Sequence, residues 1–235
     1  MHILIDDEGN RYVHEKGDFH SKQGVIKEKD IQPGKIKTHT GKEFACFPAT
    51  FADLLQKISR GPATMHAKDI GIIITKSGIG KTTKIVDAGT GSGVLAAYLA
   101  NISNDVTTYE SRKEHAAIAK KNFKLLNVNP ALKEQDITNG IDERDVDVVT
   151  LDLLEPWKVV KHAKTALKPG GFLVAYCTNI TQATELIGAA HKEDFLLDDV
   201  LETIQRSWKI DEKIVRPEHV GLLHTGFLAF LRKVQ

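Results

Sequence analysis

Hydrophobic positions follow different periods in different parts of the chain. Over residues 1–48 they alternate in short runs separated by turn residues. HILIDDEGNRYVH sets Asp-Asp-Glu-Gly-Asn between two alternating arms, KIKTHTGKEFACF repeats the arrangement about Thr40-Gly41, and Pro33-Gly34 marks another turn. Alternation punctuated this way predicts hairpins, about four short strands, in a small β module spanning 1–48. Phe51, Leu54, Leu55 and Ile58 then take helical spacing behind Thr50 and Asp53, a capping-box pair, and a second helix is expected over Ala67–Thr75.

From Lys84 the texture changes again. KIVDAG, DVTTYE, ALKEQDI, VDVVTLDL and FLVAYC read as strands, and VLAAYLA, RKEHAAIAKKNFKLL, WKVVKHAKTAL and TQATELIGAAHKE as helices, with Pro169-Gly170-Gly171 as a turn. The closing runs VLETIQRSWKI and TGFLAFLRKV have no helix between them. Alternating strand and helix predicts a doubly wound, mostly parallel α/β sheet over 49–235, and the closing pair predicts an antiparallel last strand.

Composition changes this picture little. Apolar content of 41% and charged content of 27% are ordinary for a globular protein. No apolar run approaches the roughly 20 residues that span a bilayer, so no membrane partner is expected. MHILIDDEGN lacks a basic region followed by an apolar stretch, which predicts no signal peptide and a cytoplasmic protein. Cys46 and Cys177 have no metal-ligand spacing; no metal is expected, and free thiols suit a reducing compartment. A net charge of +1 neither supports nor excludes a nucleic-acid partner. Six lysines nevertheless crowd the stretch from Lys22 to Lys42. That cluster is either a solvated surface or a phosphate-contacting face.

Two glycine-rich loops carry the candidate chemistry. Gly80-Lys81-Thr82 ends like a phosphate-binding loop, but Thr75 stands where the first glycine of that motif belongs, and a strand follows instead of a helix. It reads as a turn. The second loop, Asp87-Ala88-Gly89-Thr90-Gly91-Ser92-Gly93, follows an apolar strand and precedes an apolar helix. Its G-x-G-x-G spacing differs from the dinucleotide pattern. Glu110, Asp136 and Asp152 fall at the expected ends of the next three strands. Ligands of such sheets bind beyond the carboxyl ends of the strands, and a carboxylate at position 110 could accept the ribose hydroxyls of a nucleoside.

With these residues in place the chain resembles class I S-adenosylmethionine-dependent methyltransferases. It is similar, more narrowly, to the tRNA (adenine-N1)-methyltransferases that modify the T-loop. FHSKQGVI, SRGPATMHAKDI, DAGTGSG, YESRKEHAAIAKKN, LDLLEPW and VRPEHVGLLHTGFLAF occur in that family's order. The resemblance implies a seven-stranded Rossmann-like sheet behind an RNA-binding N-terminal module, and methylation of adenine 58 of tRNA, with 57 as a second position. It also implies S-adenosylmethionine as cofactor and a homo-oligomer, by family habit a tetramer. Asp87, Gly89, Thr90, Gly91, Ser92, Gly93, Glu110 and Asp136 would bind the cofactor. Asp152 would be catalytic, hydrogen-bonding the adenine amino group. His66, Arg216, His224 and Thr225 are candidates for substrate contact. Where the family has Gln-x-x-Tyr-Pro-Lys-Asp this chain has Ala63-Thr64-Met65-His66-Ala67-Lys68-Asp69, so His66 replaces the tyrosine expected in the base pocket. Leu153-Leu154 likewise stands where Leu-Pro is expected.

Three other functions share parts of this pattern. A protein-directed methyltransferase, such as an isoaspartyl carboxyl methyltransferase, would have the same loop but would bring a carboxylate substrate against Asp152. A nicotinamide oxidoreductase would place glycine where Val94 stands. A non-catalytic RNA-binding subunit would tend to lose the glycine loop and Asp152, both of which are present.

Overall fold

The structure is a computed structural model that describes residues 1–59, 61, 64–211, 213–221 and 223–235. Arg60, Pro62 and Ala63 of the SRGPATMHAKDI motif, and Leu222 of the C-terminal one, lie outside the described residues. The chain divides into two compact units, Met1–Ser59 and Arg60–Gln235.

In the first unit, strands β1 (His2–Asp6), β2 (Arg11–His14), β5 (Gly34–Lys37) and β6 (Glu43–Pro48) form an antiparallel sheet in the order β2-β1-β6-β5, and β3 (Phe19–Ser21) pairs with β4 (Gly24–Ile26). Both expected hairpins are present. The strands number six, because FHSKQGVI folds into an extra hairpin. Leu4, Phe19, Ile26, Ile36, Phe44 and Cys46 make the core. The unit runs past the boundary expected at residue 48. The Ala49 amide donates to the Met1 carbonyl at 3.1 Å, and Asp53, whose capping box with Thr50 starts helix α1 (Phe51–Leu54), faces Arg11 at 3.8 Å.

The second unit carries the doubly wound sheet. Its strands are β7 (Lys84–Ala88), β8 (Asp105–Tyr109), β9 (Ala131–Lys133), β10 (Val146–Leu151), β11 (Leu167–Cys177), β12 (Phe195–Leu201) and β15 (Phe227–Lys233). They lie in the order β12-β15-β11-β10-β7-β8-β9, with β15 antiparallel to both neighbours. Helices α2 (Ala67–Lys76), α3 (Val94–Ile102), α4 (Lys113–Leu126), α5 (Val160–Ala166) and α6 (Ile180–His191) complete the unit. Central strands such as β7 and β10 are buried on both faces, as helices on each side of a parallel sheet require. Among the described residues no helix is long and apolar enough to cross a membrane.

Two expectations are corrected. Pro169-Gly170-Gly171 does not separate two elements: β11 runs through it, with a register shift that moves the partner of Val146, Leu167, to Phe172 for Val148. VLETIQRSWKI is not one strand. β12 stops at Leu201, and a separate hairpin, β13 (Trp208–Asp211) with β14 (Ile214–Pro217), is built before β15 begins. Beyond Leu201 the chain turns to α2, where Lys68 bonds the Thr203 carbonyl and hydroxyl, instead of pairing further with β15.

The strand order reverses between β7 and β10, because the chain passes from β7 to β8 on one side and returns to β10 on the other. Such a switch point opens a crevice at the carboxyl ends of the strands. Gly93 sets the start of α3 beside it, with φ 83° and no room for a side chain: an added Cβ would lie 2.6 Å from the Phe123 ring. Gly93→Ala should therefore lower unfolding stability by roughly 2–4 kcal/mol, from left-handed backbone strain plus overpacking, as read by urea denaturation.

Candidate active site

The crevice is built on Asp87. Its neighbours across the sheet are Thr108 on β8 and Thr150 on β10, in direct register. The Thr108 hydroxyl donates to one carboxylate oxygen at 2.6 Å and the Thr150 hydroxyl to the other at 2.7 Å. Asp87 is 1% exposed. Burial pushes its carboxyl up to about 6, against the opposing pull of the two threonines. Asp87 thus holds the three strands level where the loop leaves β7.

The loop is fastened from several directions. The Gly89 amide and the Thr90 hydroxyl donate to the Tyr109 carbonyl at 3.1 and 3.0 Å, and Asn122 donates to the Ser92 carbonyl at 2.8 Å. Glu110 accepts from the Gly91 amide at 2.8 Å and from the Arg112 amide at 3.0 Å. Gly89 has φ 86°, and a Cβ there would meet the Asp152 carbonyl oxygen at 2.0 Å, so only glycine lets β7 and β10 end this close together.

A cleft of about 320 Å³ opens beside the loop, lined by Gly89, Gly91, Glu110, Ser111, Arg112, His115 and Asp152–Leu154. A smaller hollow of about 40 Å³ adjoins it through Gly89, Glu110 and Leu153 and reaches Asp136. Gly89, Gly91, Glu110 and Asp152 are thereby brought together. The loop's Thr90, Ser92 and Gly93, and Asp87 before it, are buried and do not line the cleft. Asp136 does not end a strand. β9 stops at Lys133, and Asp136 caps the turn Ile137–Asn139 by accepting from the Thr138 amide and hydroxyl at 2.9 and 2.7 Å.

Asp152 follows β10, its amide donating to the Ala88 carbonyl at 2.9 Å. Among the described residues none donates a hydrogen bond to its carboxylate. It does not cap the next helical turn, whose N-cap position is Glu155. Burial, and then the negative charge of Asp87, push its carboxyl up to about 7. A carboxylate without a donor, raised by its surroundings and facing a cleft, is suited to meeting a ligand's N–H group.

The four candidate substrate residues lie elsewhere. His66 occupies the N-cap position of α2 without capping it, and lines a separate cavity of about 650 Å³. Arg216 sits on β14 and donates to the Pro217 carbonyl at 3.1 Å. The His224 ring lies 2.8 Å from a Glu202 carboxylate oxygen. The Thr225 hydroxyl is engaged by Lys68 and Asp69, at 2.6 and 2.7 Å. None of the four lines the cleft of Asp152.

Sequence reasoning passed over Arg112 and His115. His115 stands in the first turn of α4, with its Nδ1 3.9 Å from Glu110. The signal was available: a helix that starts directly after the acidic strand end turns its first residues back over that carboxylate. The Gly80-Lys81-Thr82 segment closes on itself, the Gly80 amide donating to the Thr83 hydroxyl at 2.8 Å, and leads into β7.

Known proteins resemble the chain over most of its length. The family described as "tRNA methyltransferase complex GCD14 subunit" matches residues 57–226. The tRNA (adenine(57)-N(1)/adenine(58)-N(1))-methyltransferase TrmI of Methanocaldococcus jannaschii is 34% identical, over 98% of this chain and 94% of its own length. The tRNA (adenine(58)-N(1))-methyltransferase TrmI of Thermus thermophilus is also 34% identical, over 98% and 96%. Among solved structures, a SAM-dependent O-methyltransferase from Thermotoga maritima superposes with a TM-score of 0.91 at 26% identity, covering 100% of this chain and 92% of that one. The tRNA (m1A58) methyltransferase TrmI from Aquifex aeolicus superposes with a TM-score of 0.85 at 23% identity, covering 100% and 96%, a likeness of fold.

The position of Asp152 has a consequence for stability. Its carboxyl titrates near 7 in the folded chain and near 3.9 in the unfolded one, so the neutral form favours folding, and that contribution disappears as pH rises through 7. Asp152→Asn should be more stable than wild type at pH 8, by on the order of 2 kcal/mol after solvent screening, and the difference should vanish near pH 4. Thermal unfolding of both proteins across that range measures the gap.

Proposed function

The chain belongs to the tRNA methyltransferase complex GCD14 subunit family, and from that premise we propose that it transfers a methyl group from S-adenosylmethionine to N1 of an adenine in tRNA. The adenine is at position 58 of the T-loop, with 57 as a second site, the positions named for its relatives. The observation that carries this reading is the convergence of Gly89, Gly91, Glu110 and the donorless Asp152 carboxylate on one cleft at the switch point.

The residues present suit the cofactor. Gly89 leaves backbone where a Cβ would collide, and the cleft offers a carboxylate at the height of the loop. Glu110 would accept the ribose hydroxyls through lone pairs not used by the Gly91 and Arg112 amides. Asp136, on the adjoining hollow, would receive the adenine ring's amino group. His115 closes the side of the cleft. When bound, the cofactor supplies an electrophilic methyl carbon on a sulfonium.

Asp152 does the work on the acceptor side. Adenine N1 is a weak nucleophile, and methylation leaves positive charge shared between N1 and N6. A carboxylate bonded to the N6 amino group both orients the base and stabilises charge that appears as the new bond forms. The group must be ionised to do so, and activity is expected to fall as pH drops through about 7. The base edge is paired inside folded tRNA, so the nucleotide must be extruded to reach Asp152.

The N-terminal unit supplies a grip on RNA in this reading. The lysines between Lys22 and Lys42 are all exposed. Lys27 pairs with Asp18 and Lys37 with Glu43, at 2.8 and 3.1 Å, while Lys22, Lys29, Lys35 and Lys42 have no ion pair among the described residues. The same reading makes the protein cytoplasmic and homo-oligomeric, a tetramer by resemblance to the family.

Incubation with unmodified tRNA transcript and labelled cofactor, followed by mapping of the methylated nucleotide, tests the whole proposal; label on protein instead of RNA would overturn it. For the cofactor loop, Gly91→Val should abolish S-adenosylmethionine binding and Lys81→Ala should leave it near normal, and calorimetry giving the reverse order would transfer the site to the first loop. For Asp152, replacement by Ala or by Asn should lower kcat by roughly 10²–10³ with little change in cofactor affinity. Single-turnover methylation by a folded Asn variant at the wild-type rate would remove Asp152 from the mechanism.

A further inference from the structure

β12 ends at Leu201 and β15 begins at Phe227, and the two strands are paired in the sheet, Leu201 opposite Leu228. Between them the chain leaves the sheet, builds the β13–β14 hairpin and returns. Both feet of this excursion are held by adjacent residues in the first turn of α2. Lys68 Nζ shares its three N–H donors among four acceptors: the Thr203 carbonyl and hydroxyl, each at 2.8 Å, the Thr225 hydroxyl at 2.6 Å, and Asp69 at 2.7 Å. Thr225 in turn donates to the second Asp69 oxygen at 2.7 Å, and Thr203 donates to the first. Each hydroxyl therefore accepts from the ammonium and donates to the carboxylate.

Asp69 is 0% exposed. Burial alone would raise its carboxyl, but the hydrogen bonds from Lys68, Thr203 and Thr225 prevail and hold it below the usual carboxylate range. A buried ion pair is a poor source of net stability compared with apolar packing of the same volume; its attested use is to specify one arrangement. Here the arrangement specified is that of the two ends of the excursion, at Thr203 and Thr225.

That path shapes a cavity. Directly beyond the feet, Ile204, Gln205, Glu218, His219 and Leu223 line the 650 Å³ space whose remaining wall includes His66 and Lys68. The foot at Thr225 also meets β11: Tyr176 donates its hydroxyl to the Thr225 carbonyl at 2.5 Å, and a Cβ on Gly226 would lie 2.5 Å from the Tyr176 ring. Burial raises the Tyr176 phenol against that hydrogen bond, and the negative charges of Asp69 and Asp152 raise it further. Tyr176 follows Ala175, the β11 partner of Leu151 on β10, so the residue that holds the Thr225 foot stands beside Asp152 in the sheet register.

We propose that Lys68, Asp69, Thr203 and Thr225 form a clip that fixes the two ends of the excursion, and with them the wall of the 650 Å³ cavity and the setting of Tyr176 beside Asp152, and that they serve tRNA methylation as positioning residues without touching base or cofactor. This inference rests on the proposed function and deepens it. It also reassigns Thr225 from substrate contact to support.

Thr225→Val removes one hydroxyl at nearly constant volume, and Thr225→Ser restores it. With cofactor saturating, Thr225→Val should lower kcat/KM for tRNA by about 10–100-fold, as expected for a reacting group misplaced by a fraction of an ångström. Its S-adenosylmethionine affinity should stay within about twofold of wild type, and the serine variant should recover most of the activity. Trypsin should cleave the valine variant faster than wild type at Arg206, Lys209 or Lys213, within the excursion. Wild-type kcat/KM in the valine variant, an equal loss of cofactor affinity, or failure of serine to rescue would each overturn the clip. If wild type itself does not methylate tRNA, the proposed function fails, and proteolysis still decides the clip: unchanged cleavage of the folded valine variant would reject it.

Discussion

The carboxylate of Asp87, clamped between the hydroxyls of Thr108 and Thr150, is the constraint on which the site depends. Three parallel strands end at slightly different heights unless something fixes them, and here one acid on the middle strand bonds both neighbours in register. The glycine loop leaves the sheet one residue later, and Asp152 leaves β10 close enough that its carbonyl occupies the space a Gly89 side chain would need. The geometry of the cleft is thus inherited from a polar bond network within an otherwise apolar sheet core.

The same network carries an electrostatic consequence. Asp87 cannot shed its charge into solvent, and its field adds to the burial of Asp152. Two acids at neighbouring strand ends oppose each other's ionisation, which costs stability at neutral pH. The arrangement is intelligible if the ionised Asp152 is completed by a donor from outside the chain, as the proposed adenine amino group would be. Leaving one buried carboxylate without a donor at a cleft, beside an acid that two threonines satisfy, concentrates reactivity at that point.

The excursion between β12 and β15 follows a different logic. It has a hairpin but little core: Trp208, Ile210 and Val215 are 56%, 75% and 69% exposed. A segment with so few buried contacts takes its position from where its ends are tied. Lys68 and Asp69 tie both ends from a helix far away in sequence, a buried ion pair setting a path that the excursion's own packing does not set.

Much of this was legible in the sequence, for a physical reason. Strand and helix periods, the G-x-G-x-G spacing and the acids after each strand are local patterns, and the backbone geometry of each element follows from short-range sterics and burial. The doubly wound sheet, the antiparallel last strand, and a glycine loop with Gly89, Gly91, Glu110 and Asp152 gathered at the strand ends could therefore be named from the sequence. What it could not supply was pairing between distant side chains. Nothing local distinguishes Asp87, locked under the loop, from Glu110, open to the cleft; that depends on which threonines lie opposite. Thr225 read as a pocket residue because it precedes the last strand, yet its hydroxyl faces Lys68 and Asp69 across more than 150 residues. VLETIQRSWKI read as a single strand-like run, and nothing in it told that the chain would leave the sheet after Leu201. Local forces chose the elements, and only the tertiary structure, by bringing remote charges and hydroxyls within bonding distance, decided which polar groups were left to act.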